Sequence, residues 1–350
     1  MEIPEFEPKA EDESERSITL LKWFAKVAMG AFVMTSAVSM GIWGASYYYK
    51  PKLTQAFPAP GRMVDVGGYE MHIQCMGQGE PTVVLEADHH DFSVQWAMVQ
   101  PEVARYSRVC VYDRAGMGWS SPSPKPRTSS HMVDELHALL QNAGETAPYV
   151  MVGHFLGGLN ARLYAHRFPQ EVKGMVLLDA AHEDQHNNIP ELEDASRKSA
   201  LLFNVMQWAQ KLGALAVTPE AIPDKGLNGE ALQRYRAILA TKHYFETAKD
   251  EADALPDSLK ELQQAQMSDL GRMPLIVVSR GMKAEMPGLS TSQSGEFESR
   301  WNQLQQELAQ LSTNSRQIRA LRSGHYIHLS EPQLVVRAVR EVLLQVRKQG

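Results

Sequence analysis

Apolar and polar positions alternate along this chain in two distinct rhythms. Short apolar runs at Met63–Val66, Glu70–Cys75, Thr82–Leu85, Val109–Tyr112, Tyr149–Val152, Val172–Leu178 and Leu275–Val278 read as strands, the first two joined by a Gly67-Gly68 hairpin signal. Helical spacing fills the gaps. Thr128–Asn142 places Met132, Leu136, Leu139 and Leu140 on one face and ends near Gly144; Leu156–Phe168 is a second helix. Glu331–Val346 closes the chain with Leu334, Val335, Ala338, Val339 and Leu343 on one side. Strands alternating with helices predict a mostly parallel sheet covered on both faces, in a domain spanning 62–350. Residues 183–271 break this alternation. They carry only helical spacing, at Leu201–Leu215, Glu230–Phe245 and Leu259–Met267, and read as a helical cap inserted into the strand series.

The N-terminal segment follows neither rhythm. Residues 1–22 are acidic and read as a solvated, disordered tail. Residues 23–49 form one apolar stretch with no charge between Val27 and Tyr49, enough for a bilayer core that needs roughly 20 residues. Trp23, Trp43 and Tyr47–Tyr49 stand near its ends, where aromatic belts lie. A single-pass transmembrane helix is therefore expected, followed by a proline-bearing linker at 50–61. The acidic leader is unlike the short basic start of a signal peptide. Basic residues flank both ends, so the side of the membrane that holds the domain stays open. The net charge of −6 over 350 residues speaks against a nucleic-acid partner. Cys75 and Cys110 form either a disulfide or two buried thiols, and buried thiols are preferred because free cysteine packs as a small hydrophobe.

Candidate chemistry centres on Val152-Gly153-His154-Phe155-Leu156-Gly157-Gly158. A strand ends at Gly153 and a helix starts at Leu156, the setting of a Gly-x-Ser-x-Gly nucleophile elbow. Phe155 occupies the serine position, and a benzyl group attacks nothing. The surrounding frame predicts that Phe155 holds a strained backbone.

Six segments then resemble the α/β-hydrolase fold family, specifically bacterial esterase- and epoxide-hydrolase-like members: VDVGGYEMHIQC, TVVLEA, VCVYDRAGMGWSSPSP, the elbow, VKGMVLLDAAHEDQ and SGHYIHLSEPQLV. The resemblance runs from about Arg62 to Val346. It implies that His325 is the base and that Asp179, at the end of a strand, is its acid partner; Glu285 or Glu296 are the alternatives. Asp113-Arg114 is implied to shape a loop. Relatives carry small residues after the third strand, where a backbone N–H faces an oxyanion; this chain has Asp88-His89-His90-Asp91 there. An acidic side chain in that place opposes oxyanion stabilisation.

His89, His90, His154 and Leu156 are thus expected around the pocket. The adjacent rings of His89 and His90 are expected to diverge, and no metal-ligand spacing is recognisable, so neither metal nor cofactor is expected. Loss of a nucleophilic serine costs on the order of a million-fold in rate. The first expectation is a membrane-anchored pseudo-hydrolase, a binding or interaction module for a small apolar molecule or a protein partner. The second is a diverged hydrolase of ester- or epoxide-like substrates in which His325 acts as base, with His89 or His90 as acid or electrostatic partner.

Overall fold

The computed structural model describes residues 11–189, 191–266, 269–284 and 291–349, with the side chains of 11–15, 193–201 and 291 outside the description. A helix α1 (Glu11–Ala56) leads into strands β1 (Arg62–Asp65), β2 (Glu70–Met76) and β3 (Thr82–Glu86). A short helix α2 (Gln100–Val103), strand β4 (Val109–Tyr112) and helix α3 (Ser129–Asn142) follow. Next come β5 (Tyr149–His154), α4 (Leu156–Arg167) and β6 (Val172–Leu178). The sheet order is β1-β2-β4-β3-β5-β6 and continues with β7 (Leu275–Arg280) and β8 (Ser315–Ala320). β2 runs antiparallel to β1 and β4, and every other pairing is parallel. The central strands are buried throughout, because parallel strands carry helices on both faces.

Between β6 and β7 the chain forms α5 (Gln185–Asn188), α6 (Glu191–Leu212), α7 (Ala214–Val217), α8 (Gly229–Thr241) and α9 (Tyr244–Ala265). This is the expected cap, with different joints. α6 stops at Gly213 in the left-handed region, and α9 carries Pro256 inside it, so the helix read from Leu259 begins at Tyr244 instead. The cap has its own apolar cluster, in which Phe92, Met117 and Trp119 of the sheet domain meet Tyr235, Ile238, Tyr244 and Phe245. The chain closes with α10 (Thr291–Ala309), α11 (Ile327–Ser330) and α12 (Pro332–Gln349).

Four expectations need correcting. The sequence pattern missed β8, because its run SRQIRA is an exposed edge strand with no apolar alternation, and it also missed α10. The acidic tail expected to be disordered through residue 22 is helical from Glu11 onward; residues 1–10 lie outside the described residues. The linker expected at 50–61 is helical through Ala56 with Pro51 inside. Tertiary contacts override the proline there: Leu53 packs on the cap cluster and the Phe57 carbonyl accepts from Trp119 Nε1 at 3.0 Å. Finally, Cys75 and Cys110 form a disulfide rather than two thiols. β2 and β4 pair so that the two residues stand opposite each other with Cα atoms 4.0 Å apart, a register that sequence spacing does not reveal.

The C-terminal end of α1 packs on α7 and α8. Gly213 makes this approach close: a Cβ there would lie 2.1 Å from Ser46 Cβ. Lys50 Nζ donates to the Gln210 carbonyl at 3.2 Å. Away from that contact the apolar stretch of α1 is largely exposed, and by length and composition it is able to cross a membrane.

Candidate active site

β5 delivers the chain to Phe155, and α4 departs from Leu156. Phe155 has φ 43° and ψ −105°, a conformation side chains rarely adopt. Its neighbours over-determine it. The Phe155 N–H donates to the Leu178 carbonyl at 3.2 Å, and its own carbonyl accepts from Gly158 and Ala181 at 3.0 and 3.1 Å. Gly153 and Gly157 are required: added Cβ atoms would lie 2.3 Å from the Gly157 oxygen and 2.4 Å from the Glu86 oxygen. The elbow thus keeps its geometry around a benzyl group. That ring lies 5.0 Å from His89, 5.2 Å from His325 and 6.0 Å from Trp301, centroid to centroid.

His325 Nδ1 and Asp179 Oδ2 are 2.8 Å apart. Asp179 ends β6 with φ 39°, a second strained backbone at the site. Its Oδ2 also accepts from Arg280 Nη1 at 2.8 Å; its Oδ1 accepts from Trp301 Nε1 at 2.8 Å and from the Arg280 N–H at 3.3 Å. Burial by itself would raise this carboxyl. The Arg280 charge and the His325 and Trp301 hydrogen bonds outweigh burial and hold Asp179 well below the usual carboxylate range. Of the alternative acids, Glu296 is exposed and pairs with Arg300 at 3.6 Å, and Glu285 lies outside the described residues. Sequence reasoning missed Arg280 and Trp301; Trp301 sits on α10, an element no apolar pattern announced.

The altered loop after β3 holds the unexpected feature. Asp88 was expected to lie near the oxyanion position and oppose charge there. Its carboxylate instead lies against the Leu156 N–H and reaches the His325 ring. Oδ1 accepts from the Leu156 N–H at 3.3 Å and the His89 N–H at 2.5 Å, and lies 2.6 Å from His89 Nδ1. Oδ2 is 3.0 Å from His325 Nε2. Burial would lower the His325 pKa, but the two carboxylates outweigh it and push it up to about 9, so His325 is an imidazolium at neutral pH. Burial would likewise raise Asp88; the charge and hydrogen bonds of His89 and His325 reverse this and hold it well below its ordinary value. Asp91 turns away, to Gln95 Nε2 at 2.9 Å and Lys225 Nζ at 3.0 Å.

Arg114 fixes the loop. It donates to the Ala87 and Asp88 carbonyls, both at 2.6 Å, and its other side is held by Glu251 of α9 at 2.7 and 2.8 Å. Asp113 beside it accepts from the Ser93 N–H at 2.8 Å, from the Trp119 N–H at 2.9 Å and from His72 at 2.9 Å.

The His89 and His90 rings do not diverge. Their centroids are 4.0 Å apart, with His90 at φ 63°. His90 is half-buried, and its loss of solvent holds its pKa well below the ordinary value. His154 lies beneath His325, its Nε2 3.0 Å from the His325 carbonyl, and burial depresses its pKa to about 3. Ligand atoms of Asp88, His154 and His325 fall within 4.8 Å of one another. The Asp88–His325 hydrogen bond occupies the space between two of them, so a cation would have to break it. Two cavities, of about 330 and 430 Å³, open beside Gln74 and Arg234 and between Leu53 and Ile238; neither is lined by Asp88, Phe155 or His325.

A sequence profile described as alpha/beta hydrolase fold matches residues 86–210. The uncharacterized protein YqjL of Bacillus subtilis is 28% identical over 278 residues, covering 79% of this chain and 89% of that protein. An AB hydrolase superfamily protein of Gibberella zeae is 27% identical over 293 residues, covering 77% and 88%. Among solved structures, epoxide hydrolase CorEH superposes with a TM-score of 0.56 at 16% identity, covering 81% of this chain and 98% of that one. At that identity the structural likeness speaks for the fold alone.

Proposed function

Since this chain belongs to the α/β-hydrolase fold family yet carries Phe155 where that family's nucleophile stands, we propose that it is a membrane-anchored hydrolase of a small apolar substrate that works without a serine. The observation that carries this reading is the His325–Asp179 pair at 2.8 Å, locked by Arg280 and Trp301. Strained backbones at Phe155, Asp179 and His90, together with strongly shifted acids and bases, gather at one place. Such clusters mark functional sites more often than structural ones. The binding-module reading, preferred on sequence alone, keeps one specific support: the rings of Phe155, His89 and His325 and the Asp88 carboxylate fill the site themselves.

Turnover separates the two readings. The full chain in detergent micelles is offered short and long acyl esters, lactones, epoxides and bromoalkanes. The hydrolase reading expects hydrolysis of at least one member of this panel and no labelling by a fluorophosphonate probe. It also expects a loss of about a hundred- to ten-thousand-fold in His325→Ala, the usual range for an acid–base group. Silence across the panel, or activity indifferent to His325→Ala, leaves the binding module.

Two features support membrane anchoring. One is the charge-free stretch of α1. The other is α6, where Leu202, Val205, Trp208 and Leu212 recur on one helical face and stand 62%, 58%, 66% and 44% exposed beside the packed end of α1. An apolar stripe continuous with a spanning helix fits the bilayer interface, where tryptophan favours the boundary. In nanodiscs made with lipids brominated near the headgroup, wild-type fluorescence should contain a bromine-quenched component that Trp208→Phe removes. A Trp208 open to aqueous iodide and untouched by the brominated lipid would lift the cap off the membrane. A Trp208 shielded from both quenchers would assign the stripe to a protein partner.

A further inference from the structure

We infer that the nucleophile of this protein is Asp88, moved from the elbow to the loop after β3, and that it attacks an sp³ carbon bearing a leaving group that departs as an anion. This inference rests on the hydrolase reading above and says which atom bonds to substrate.

The geometry divides the carboxylate into two oxygens with different tasks. Oδ1 is fixed by two backbone N–H groups, those of Leu156 and His89, and by the His89 ring. Oδ2 faces His325 Nε2. A carboxylate held by one oxygen presents the other in a set direction, and carboxylates are established nucleophiles in covalent catalysis. Arg114 donates to the carbonyls of Ala87 and Asp88, one on each side of the Asp88 Cα, so the backbone that aims Asp88 is itself restrained. Phe155 then has a role that a vestigial residue would lack. Its ring stands against His89, His325 and Trp301 and forms an apolar wall beside the carboxylate.

The same geometry selects the substrate. Attack on an acyl carbon creates an oxyanion on the substrate, and the two N–H groups suited to receive it already serve Asp88 Oδ1. Attack on an alkyl carbon creates none. Oδ2 forms a bond to carbon while the carbon–halogen bond breaks, and the electron pair leaves on the halide, so no proton donor is needed. Asp88 is then a neutral ester. His325 loses one of its two carboxylate partners, its proton becomes acidic enough to pass to solvent, and the neutral ring can take a proton from water. Hydroxide adds to the Asp88 carboxyl carbon. The charge that develops falls on Oδ1, where the Leu156 and His89 N–H groups already point. Collapse expels the alkoxide, which takes the proton from His325, and the Asp88 carboxylic acid returns its proton to His325. The sum is R–X plus water giving R–OH, X⁻ and a proton.

Water labelling tests this on the intact chain, with 1-bromohexane as the probe. When enzyme exceeds substrate in oxygen-18 water, the first hexanol formed should carry ordinary oxygen, taken from Asp88, and the peptide containing Asp88 should gain heavy oxygen. Asp88→Asn should lose at least about a thousand-fold in turnover, as removal of a nucleophile does. Because that substitution alters a buried hydrogen-bond network, a second variant gives an independent reading: His325→Gln should accumulate a hexyl ester that maps to Asp88. If the first hexanol carries oxygen-18, and no hexyl group is found on Asp88 in His325→Gln, water attacks directly. The inference then fails while the hydrolase reading stands. Turnover of acyl esters or lactones without any alkyl electrophile also overturns the inference and leaves the hydrolase reading standing, whereas silence across the whole panel ends both.

Discussion

Phe155→Ser alone leaves the protein without efficient esterase activity, whereas Phe155→Ser combined with Asp88→Gly raises p-nitrophenyl butyrate hydrolysis by more than the product of the two single effects. A serine at 155 would stand on an elbow whose backbone is already correct, with φ held at 43° by three backbone hydrogen bonds and two close glycines. Its base, however, is taken. His325 Nε2 is 3.0 Å from Asp88 Oδ2 and the ring is charged at neutral pH, so it has no lone pair to receive the serine proton. The oxyanion position is taken as well, because the Leu156 N–H already serves Asp88 Oδ1. Losing one oxyanion donor costs about a hundred- to a thousand-fold in a working enzyme. Removing the Asp88 carboxyl frees the Leu156 and His89 N–H groups and lets His325 fall back toward its ordinary pKa. The two changes repair parts of one machine and should act together rather than additively. Robust hydrolysis by Phe155→Ser alone would mean that Asp88 withdraws readily from the position in which it is found.

Glu251→Ala should destabilise the protein by about 3–5 kcal/mol, the cost of leaving one partner of a buried ion pair uncompensated. Arg114 and Glu251 are 3% and 0% exposed, joined by two hydrogen bonds of 2.7 and 2.8 Å. Glu251 lies on α9 in the cap, and Arg114 follows β4 in the sheet domain, so the pair rivets one to the other. With Glu251 gone, Arg114 keeps only its two carbonyl acceptors. The measurement is urea unfolding of the full chain in micelles, with limited proteolysis to show whether the cap opens first. Arg114→Met combined with Glu251→Leu should recover much of the loss, since buried pairs are often replaceable by apolar groups of similar size. The same double variant should still lose turnover, because the Ala87 and Asp88 carbonyls lose their donors and the loop its aim. A Glu251→Ala shift under about 1 kcal/mol would show that water enters and solvates Arg114, against the burial found here.

The sequence by itself determined the parts whose physics is local. Short apolar runs bounded by turn signals read as strands, and the helical spacing at 183–271 reads as an insertion between them. The elbow was readable because a strand-to-helix corner demands small residues at 153 and 157 whatever stands between them. That His325 and Asp179 belong together was implied by the family resemblance of the segments that carry them, and the two side chains stand 2.8 Å apart. The tertiary structure alone decided whatever depends on which strands become neighbours. Cys75 and Cys110, 35 residues apart, are joined because β2 and β4 pair in one particular register. The helix running through Pro51 persists because Leu53 packs on the cap cluster and the Phe57 carbonyl just past its end meets Trp119 of the sheet domain, partners distant in sequence. Asp88 is the clearest instance. Read locally, it was a misplaced charge. Its meaning came from β3 and β5 lying side by side, which brings the Leu156 N–H to one of its oxygens, and from the return of the chain after β8, which brings His325 to the other. Charge and hydrogen bonding act through space, and a sequence pattern records only the residues that will meet along one element.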